Sequence, residues 1–125
     1  MTKKPAYKLV LSPAAREDIL KILQWSKEKF GVLAADRYRT LMMQVLRDVT
    51  EEPERIGSKE RPEIMASGVR TYHFFFSRDR VHGQRVMEPR HFVLYRQRQD
   101  GEVQIARILH DSRDLARHLP EDYRR

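Results

Sequence analysis

Apolar and polar positions alternate from Tyr7 to Val10, which predicts a short strand over Tyr7-Lys8-Leu9-Val10-Leu11. Ser12-Pro13 then stops the strand and opens a helix. Ser is a good N-cap, and Pro is tolerated at the first helical position because its missing N–H would be unpaired there. Ile19, Ile22, Leu23, Ser26 and Phe30 recur at helical spacing and define one apolar face. Glu17 and Asp18 are expected to complement the helix dipole, and Gly31 to cap the C-terminal end. Trp25 and Phe30 are expected to pack in the core or between helices. Trp25 lies one position off the main stripe, so part of it is expected to stay exposed and offer a partner surface.

Ala35, Tyr38, Leu41, Met42, Val45, Leu46 and Val49 repeat every three or four residues and predict a second helix. It ends at Glu51-Glu52 because Pro53 disfavours helix in the residue before it. So short a link makes the two helices an antiparallel αα-hairpin. Residues 54–68 read as a loop of mixed charge. From Val69 the residue types turn to strand formers: Val69 to Phe76, His91 to Arg96 and Val103 to His110, with a strong hairpin signal at Asp100-Gly101. Leu115 and Leu119, with Pro120 beyond, predict a short C-terminal helix. Residues 78–90, carrying Arg78, Arg80, Arg85 and Arg90, read either as a long basic loop or as a twisted hairpin extension about His82-Gly83. The order β-α-α-β-β-β with a terminal helical turn is α+β: a helical hairpin on one face of a mainly antiparallel sheet.

Composition narrows the chemistry. A chain of 125 residues is expected to form a single domain over 1–125 that needs no staples. It contains no Cys, so disulfides and thiolate metal sites are excluded, which fits a cytoplasmic location. No apolar run approaches the roughly 18 residues that span a bilayer, and Met1-Thr2-Lys3-Lys4-Pro5 reads as no secretory signal. The five His (73, 82, 91, 110 and 118) show no metal-site spacing, and the five Gly are isolated. No metal or nucleotide cofactor is expected. The formal charge of +7 comes mainly from Arg, which suits an anionic partner, either nucleic acid or an acidic protein segment.

Five pieces together resemble one family. They are Leu11-Ser12-Pro13-Ala14-Ala15-Arg16-Glu17-Asp18-Ile19, Ala34-Ala35-Asp36-Arg37-Tyr38 leading to Glu52-Pro53, Gly68-Val69-Arg70, His91-Phe92-Val93-Leu94-Tyr95-Arg96, and Ile105-Ala106-Arg107-Ile108-Leu109-His110-Asp111-Ser112-Arg113-Asp114. Their order and spacing over about residues 7–119 resemble the ParE-type toxins of the RelE/ParE toxin–antitoxin superfamily. The resemblance implies the RelE-like fold and a cytoplasmic type II toxin neutralised by a cognate ParD-like antitoxin in a hetero-oligomer. It also implies one of two activities. ParE-type members bind DNA gyrase, stall its complex with DNA and block replication, so a DNA contact inside that complex is an accompanying expectation. RelE-type members cleave mRNA in the ribosome.

Metal-free RNA cleavage needs proton-transfer groups and cations for the developing phosphorane charge. The set that could supply them is Arg70, Tyr95, Arg96, Arg107 and His110, with His110 as acid or base. The ParE-like ending Asp111-Ser112-Arg113-Asp114 follows it, and the C-terminal catalytic pair of some RNase relatives is missing. The reading therefore favours a non-enzymatic gyrase inhibitor, with a metal-independent endoribonuclease as the alternative. Each residue also has a plainer role. Arg70 and Arg96 could pair with acids across the sheet, and His110 could be a hydrogen-bonded structural residue. Arg107, sharing a face with Ile105 and Leu109, would need a carboxylate if buried, with Asp111 and Asp114 nearest in sequence. Partner contacts are expected from Trp25, Arg78, Arg80, Arg85, Arg90 and Arg113.

Overall fold

The computed structural model of the protein describes residues 7–125. The charged start Met1 to Pro5 lies outside them. The elements follow the predicted order: β1 (Lys8–Leu11), α1 (Pro13–Phe30), α2 (Val32–Glu51), β2 (Val69–His73), β3 (His91–Arg98), β4 (Glu102–His110) and α3 (Leu115–His118). The sheet order is β1-β4-β3-β2, with β1 parallel to β4 and the other pairs antiparallel.

The helical hairpin turns on Gly31, whose φ of 93° a side chain would resist. It covers one face of the sheet. Leu41, Met42, Val45 and Val49 of α2 are fully buried against Tyr72, Val93, Tyr95, Val103 and Ile105. The other face is partly covered by the C-terminal tail and the 54–68 loop: Leu115, Leu119, Tyr123 and Met65 pack on Val69, Leu94, Ala106 and Leu109. Strand alternation alone points to that second apolar face, but what covers it comes from elements distant in sequence.

Two details depart from the expected pattern. The strand that starts at Val69 stops at His73, and Phe74–Arg80 forms a 3-10 helix started by His73, whose side chain accepts the Phe75 N–H. Three consecutive Phe favour strand by composition. Here, however, Phe74 enters the core while the chain turns away from β3, leaving Phe75 and Phe76 on the surface. Residues 81–90 then run back irregularly, so the long loop, and not the extended hairpin, is what forms.

The second departure is in β4. Tyr95 pairs with Ile105 but Leu94 pairs with Arg107, so Ala106 is an extra residue, a β-bulge. The bulge breaks the expected alternation. Ile105 belongs to the cluster under the helices, Leu109 to the one beneath the C-terminal tail, and Arg107 does not share one face with both.

The bulge is where α1 docks. Ser12 Oγ donates to the Ala106 carbonyl at 2.7 Å and accepts the Ala15 N–H at 3.0 Å, so one hydroxyl serves both helix cap and bulge. One turn on, Asp18 accepts the Ile108 N–H at 2.9 Å and a bidentate pair from Arg107 at 2.8 and 3.0 Å. The carboxylate that Arg107 requires is therefore Asp18, and not Asp111 or Asp114. Asp18 lies beyond the first turn and braces the sheet, while Glu17 pairs with Lys21 on the surface. Asp18→Ala strands the mostly buried Arg107 and frees a backbone N–H. The expected loss is about 2 kcal/mol, read as a lower urea midpoint at unchanged slope. A loss below about 0.5 kcal/mol would show that the brace contributes nothing.

Candidate functional site

The five residues considered for RNA cleavage are held by different partners. Tyr95 is fully buried, donates to the Pro53 carbonyl at 2.5 Å, and has its phenol pushed up to about 12 by burial. Arg70 stands opposite Tyr95 in the β2–β3 register, donates to Ser58 Oγ at 3.0 Å and lies 3.5 Å from Glu60. Arg96 stands opposite Val69, on the other face of the sheet, where it lies over the Tyr123 ring at 4.3 Å and pairs with Asp122 at 2.7 Å. Arg107 is held by Asp18. His110 closes β4. Its Nδ1 accepts the Ser112 N–H at 3.1 Å, which leaves the neutral ring's proton on Nε2. Only Arg70 and Tyr95 are brought together.

The Arg-rich segment is a folded strap. Arg80 donates through Nε to both oxygens of Asp48 at 3.1 Å. Arg85 pairs with Asp79, and Arg90 with Asp111 at 3.0 Å. Arg78 stacks on the Phe75 ring at 4.1 Å and donates to the Met87 carbonyl. Most of this positive charge is thus matched within the segment or against the body of the protein. Arg113 stands apart, on the opposite side of the sheet edge, near Lys59 and His73.

Between the strap and the helical hairpin lies a groove of about 460 Å³. Trp25, 52 % exposed, and Phe30, 67 % exposed, meet edge to face at 5.6 Å along one wall. Phe30 is therefore surface and not core. Met87 and Val86 form the facing wall; Arg37, Arg85 and Arg90 rim it, with Glu88 as the one acid in its lining.

At the inner end of the groove sits a cluster that sequence reasoning missed. The Tyr38 hydroxyl accepts the Arg90 N–H at 3.3 Å and donates to His91 Nδ1 at 2.5 Å. Burial pushes the Tyr38 phenol upward. Burial, helped by nearby His110, pushes His91 down to about 4, so it is neutral at pH 7. The His91 and His110 rings meet edge to face at 5.3 Å. Asp111 then takes a hydrogen bond from His73 Nε2 at 3.1 Å and the Arg90 pair. Its burial raises its pKa, but these partners outweigh that and hold the carboxyl below its usual range. The one signal available in sequence was that β3 and β4 both carry His at their ends. Counting outward from the Gln99–Gly101 turn pairs His91 with Leu109; the bulge shifts it to His110.

A helical hairpin on one face of a four-stranded sheet, with a basic-rimmed apolar groove beside it, defines an α+β protein of the RelE-like class. The family model for "ParE toxin of type II toxin-antitoxin system, parDE" matches residues 9–115, and the chain belongs to that family. Its fold is similar to that of a solved chain from the chromosomal ParDE toxin–antitoxin system of P. aeruginosa. The TM-score is 0.58 at 17 % identity, covering 84 % of this chain and 96 % of that one. No curated protein matches the sequence. Among the described residues, no helix is long and apolar enough to cross a membrane.

Proposed function

We propose that this toxin acts in the cytoplasm by binding DNA gyrase and blocking replication, and that a cognate ParD-like antitoxin holds it inactive as a hetero-oligomer. The observation that carries the reading is the state of the residues that RNA cleavage would use. Tyr95 is sealed in the core, Arg70, Arg96 and Arg107 are tied to structural partners, and His110 is tethered through Nδ1. The groove supports the antitoxin half. Its exposed aromatic wall suits the apolar face of an amphipathic segment that orders on binding, with Arg37 on the rim to meet an acidic flank.

With purified gyrase, the protein is expected to suppress supercoiling as its concentration rises and to accumulate cleaved DNA. Full supercoiling at large excess, together with new mRNA ends in expressing cells, would replace this reading with the ribosome-dependent endonuclease. For the antitoxin, the product of the adjacent reading frame is the partner to test. Trp25→Ala changes a half-exposed ring at the centre of the groove wall, so folding is expected to be unchanged while affinity falls at least tenfold. Unchanged affinity would place the antitoxin elsewhere.

A further inference from the structure

The groove accounts for Trp25 and Phe30 but not for the end of the helical hairpin beyond them. Residues 27–33, which close α1 and open α2, are all exposed. Val32 is 56 % and Leu33 72 % exposed, and neither lines the groove. A Cβ added at Gly31 would meet no atom within 4 Å, so the turn projects into open space. With Phe30 and the Trp25 ring set against it, the tip presents two aromatic and two aliphatic side chains that the fold leaves largely uncovered.

The available charge around the tip is of one sign. Residues 25–39 carry four cations against two acids. Both acids are engaged on their own helices: Glu28 accepts from Gln24 at 2.7 Å, and Asp36 pairs with Arg39 at 3.4 Å. Among the described residues Lys27 and Lys29, on the last turn of α1, and Arg37 of α2 form no ion pair.

An apolar tip set among free cations selects its partner. A second copy of the chain would bring the same cations together, and like charges oppose that pairing. A nucleic-acid strand would use the cations but leave Val32 and Leu33 unmatched, because aliphatic side chains neither stack on bases nor pair with phosphates. An acidic protein would need a preformed hollow to receive a projecting turn. An anionic bilayer surface supplies both parts: its acyl chains admit apolar side chains, aromatic rings sit at headgroup level, and its phosphates meet the cations. Gly31 gives α2 no side-chain cap, so the first N–H groups of that helix lack an acceptor in the protein. Such groups cannot enter hydrocarbon cheaply, which holds insertion to headgroup depth. We infer that the hairpin tip docks on an anionic lipid surface, with Phe30, Val32 and Leu33 in the outer acyl layer and Lys27, Lys29 and Arg37 at the phosphates. The inference rests neither on gyrase being the target nor on the antitoxin filling the groove.

Trp25 is the only Trp of the chain and stands beside the tip, so its emission reports insertion directly. The test titrates the full chain with vesicles of phosphatidylglycerol in phosphatidylethanolamine, and separately with vesicles of phosphatidylcholine. On the anionic vesicles the Trp25 emission is expected to move to the blue and to become shielded from acrylamide; on phosphatidylcholine it should do neither. Val32→Ser/Leu33→Gln is expected to lower partitioning at least tenfold. Lys27→Ala/Lys29→Ala should lower it about fivefold for each cation removed and flatten its dependence on salt. The charge-matched control Lys59→Ala/Arg98→Ala, outside the hairpin, is expected to lose far less. Binding to the anionic vesicles without any change at Trp25 would mean mere adsorption of a basic protein and would overturn the inference. It is overturned equally if the wild-type protein does not bind them, if the apolar variant partitions like wild type, if the control loses as much as the Lys27/Lys29 variant, or if poly-glutamate shifts the emission as the vesicles do. All six substituted positions are exposed, so a thermal melt matching wild type confirms that each variant is folded.

Discussion

Asp48→Asn is expected to lower the stability of this protein by about 3–5 kcal/mol, the largest loss from any single polar substitution considered. Asp48 is fully buried on α2, with three side chains donating hydrogen bonds to its carboxylate. Ser77 donates to it at 2.6 Å and is itself held by the Tyr72 hydroxyl at 2.8 Å. Gln44 donates at 2.8 Å, and Arg80 reaches both carboxylate oxygens. Arg55 lies 3.7 Å from the carboxylate, and its Nε is buried without a partner, so Asp48 is its counter-charge. An amide of the same shape removes that charge and turns an N–H₂ donor towards groups that are themselves donors. The loss should appear as a drop in Tm of roughly 10 °C or more. Arg80→Ala is expected to cost only about 1 kcal/mol, because its guanidinium is half exposed and Ser77 and Gln44 remain on the carboxylate. Equal losses from the two substitutions would mean that the ion pair, and not the buried carboxylate, carries the stability.

Stability should also fall in mild acid. His91 is held neutral by burial between Tyr38, Phe74 and His110, with Asp111, His73 and Asp18 the other titratable groups acting on it. Its value of about 4 lies below that of the unfolded chain, 6.5. Between those values the unfolded chain binds more protons than the folded protein. Stability is therefore complete above pH 6.5 and is lost as the pH falls through the window, by up to about 3 kcal/mol at pH 4. Asp111 adds a loss of the same sign only at lower pH, where its own depressed carboxyl protonates. Urea midpoints at pH 7, 6, 5 and 4 would follow the decline. His91→Gln keeps an acceptor for the Tyr38 hydroxyl but cannot titrate, and should flatten the curve. A wild-type midpoint that is level from pH 7 to 5, or an equal slope in the variant, would contradict this account.

Both predictions depend on groups whose roles no local pattern shows. Asp48 occupies an ordinary helical position between Arg47 and Val49, and only the return of the 3-10 segment brings Ser77 and Arg80 onto it. Tyr38 reads as one more member of an apolar stripe, which it is, but its hydroxyl meets a histidine 53 residues away. Arg107 reads as an odd charge on a strand, and the need for a carboxylate follows from sequence. The choice of Asp18 over Asp111 or Asp114 does not, because it depends on where α1 crosses β4. The Arg-rich segment shows the reverse. Its composition suggests a free basic surface, and the folded chain largely matches that charge with acids.

Element types and their order were legible because each rests on interactions within a few residues. Helical spacing, the Ser12-Pro13 start, the Gly31 turn and the Asp100-Gly101 hairpin act locally, and the α+β class follows from their sequence. Which strands are neighbours, where the bulge falls and which charges are left unmatched depend on contacts dozens of residues apart. One inserted residue at Ala106 shifts the register of half of β4, sets His91 against His110 instead of Leu109, and opens the seat for α1. A side chain's neighbours on its own strand are set by the pleat, but its neighbours across the sheet are set by register, and register belongs to the whole fold. The sequence by itself thus determined the elements and a basic, staple-free toxin-like chain. Only the tertiary structure decided which of its arginines and histidines remain available to a partner.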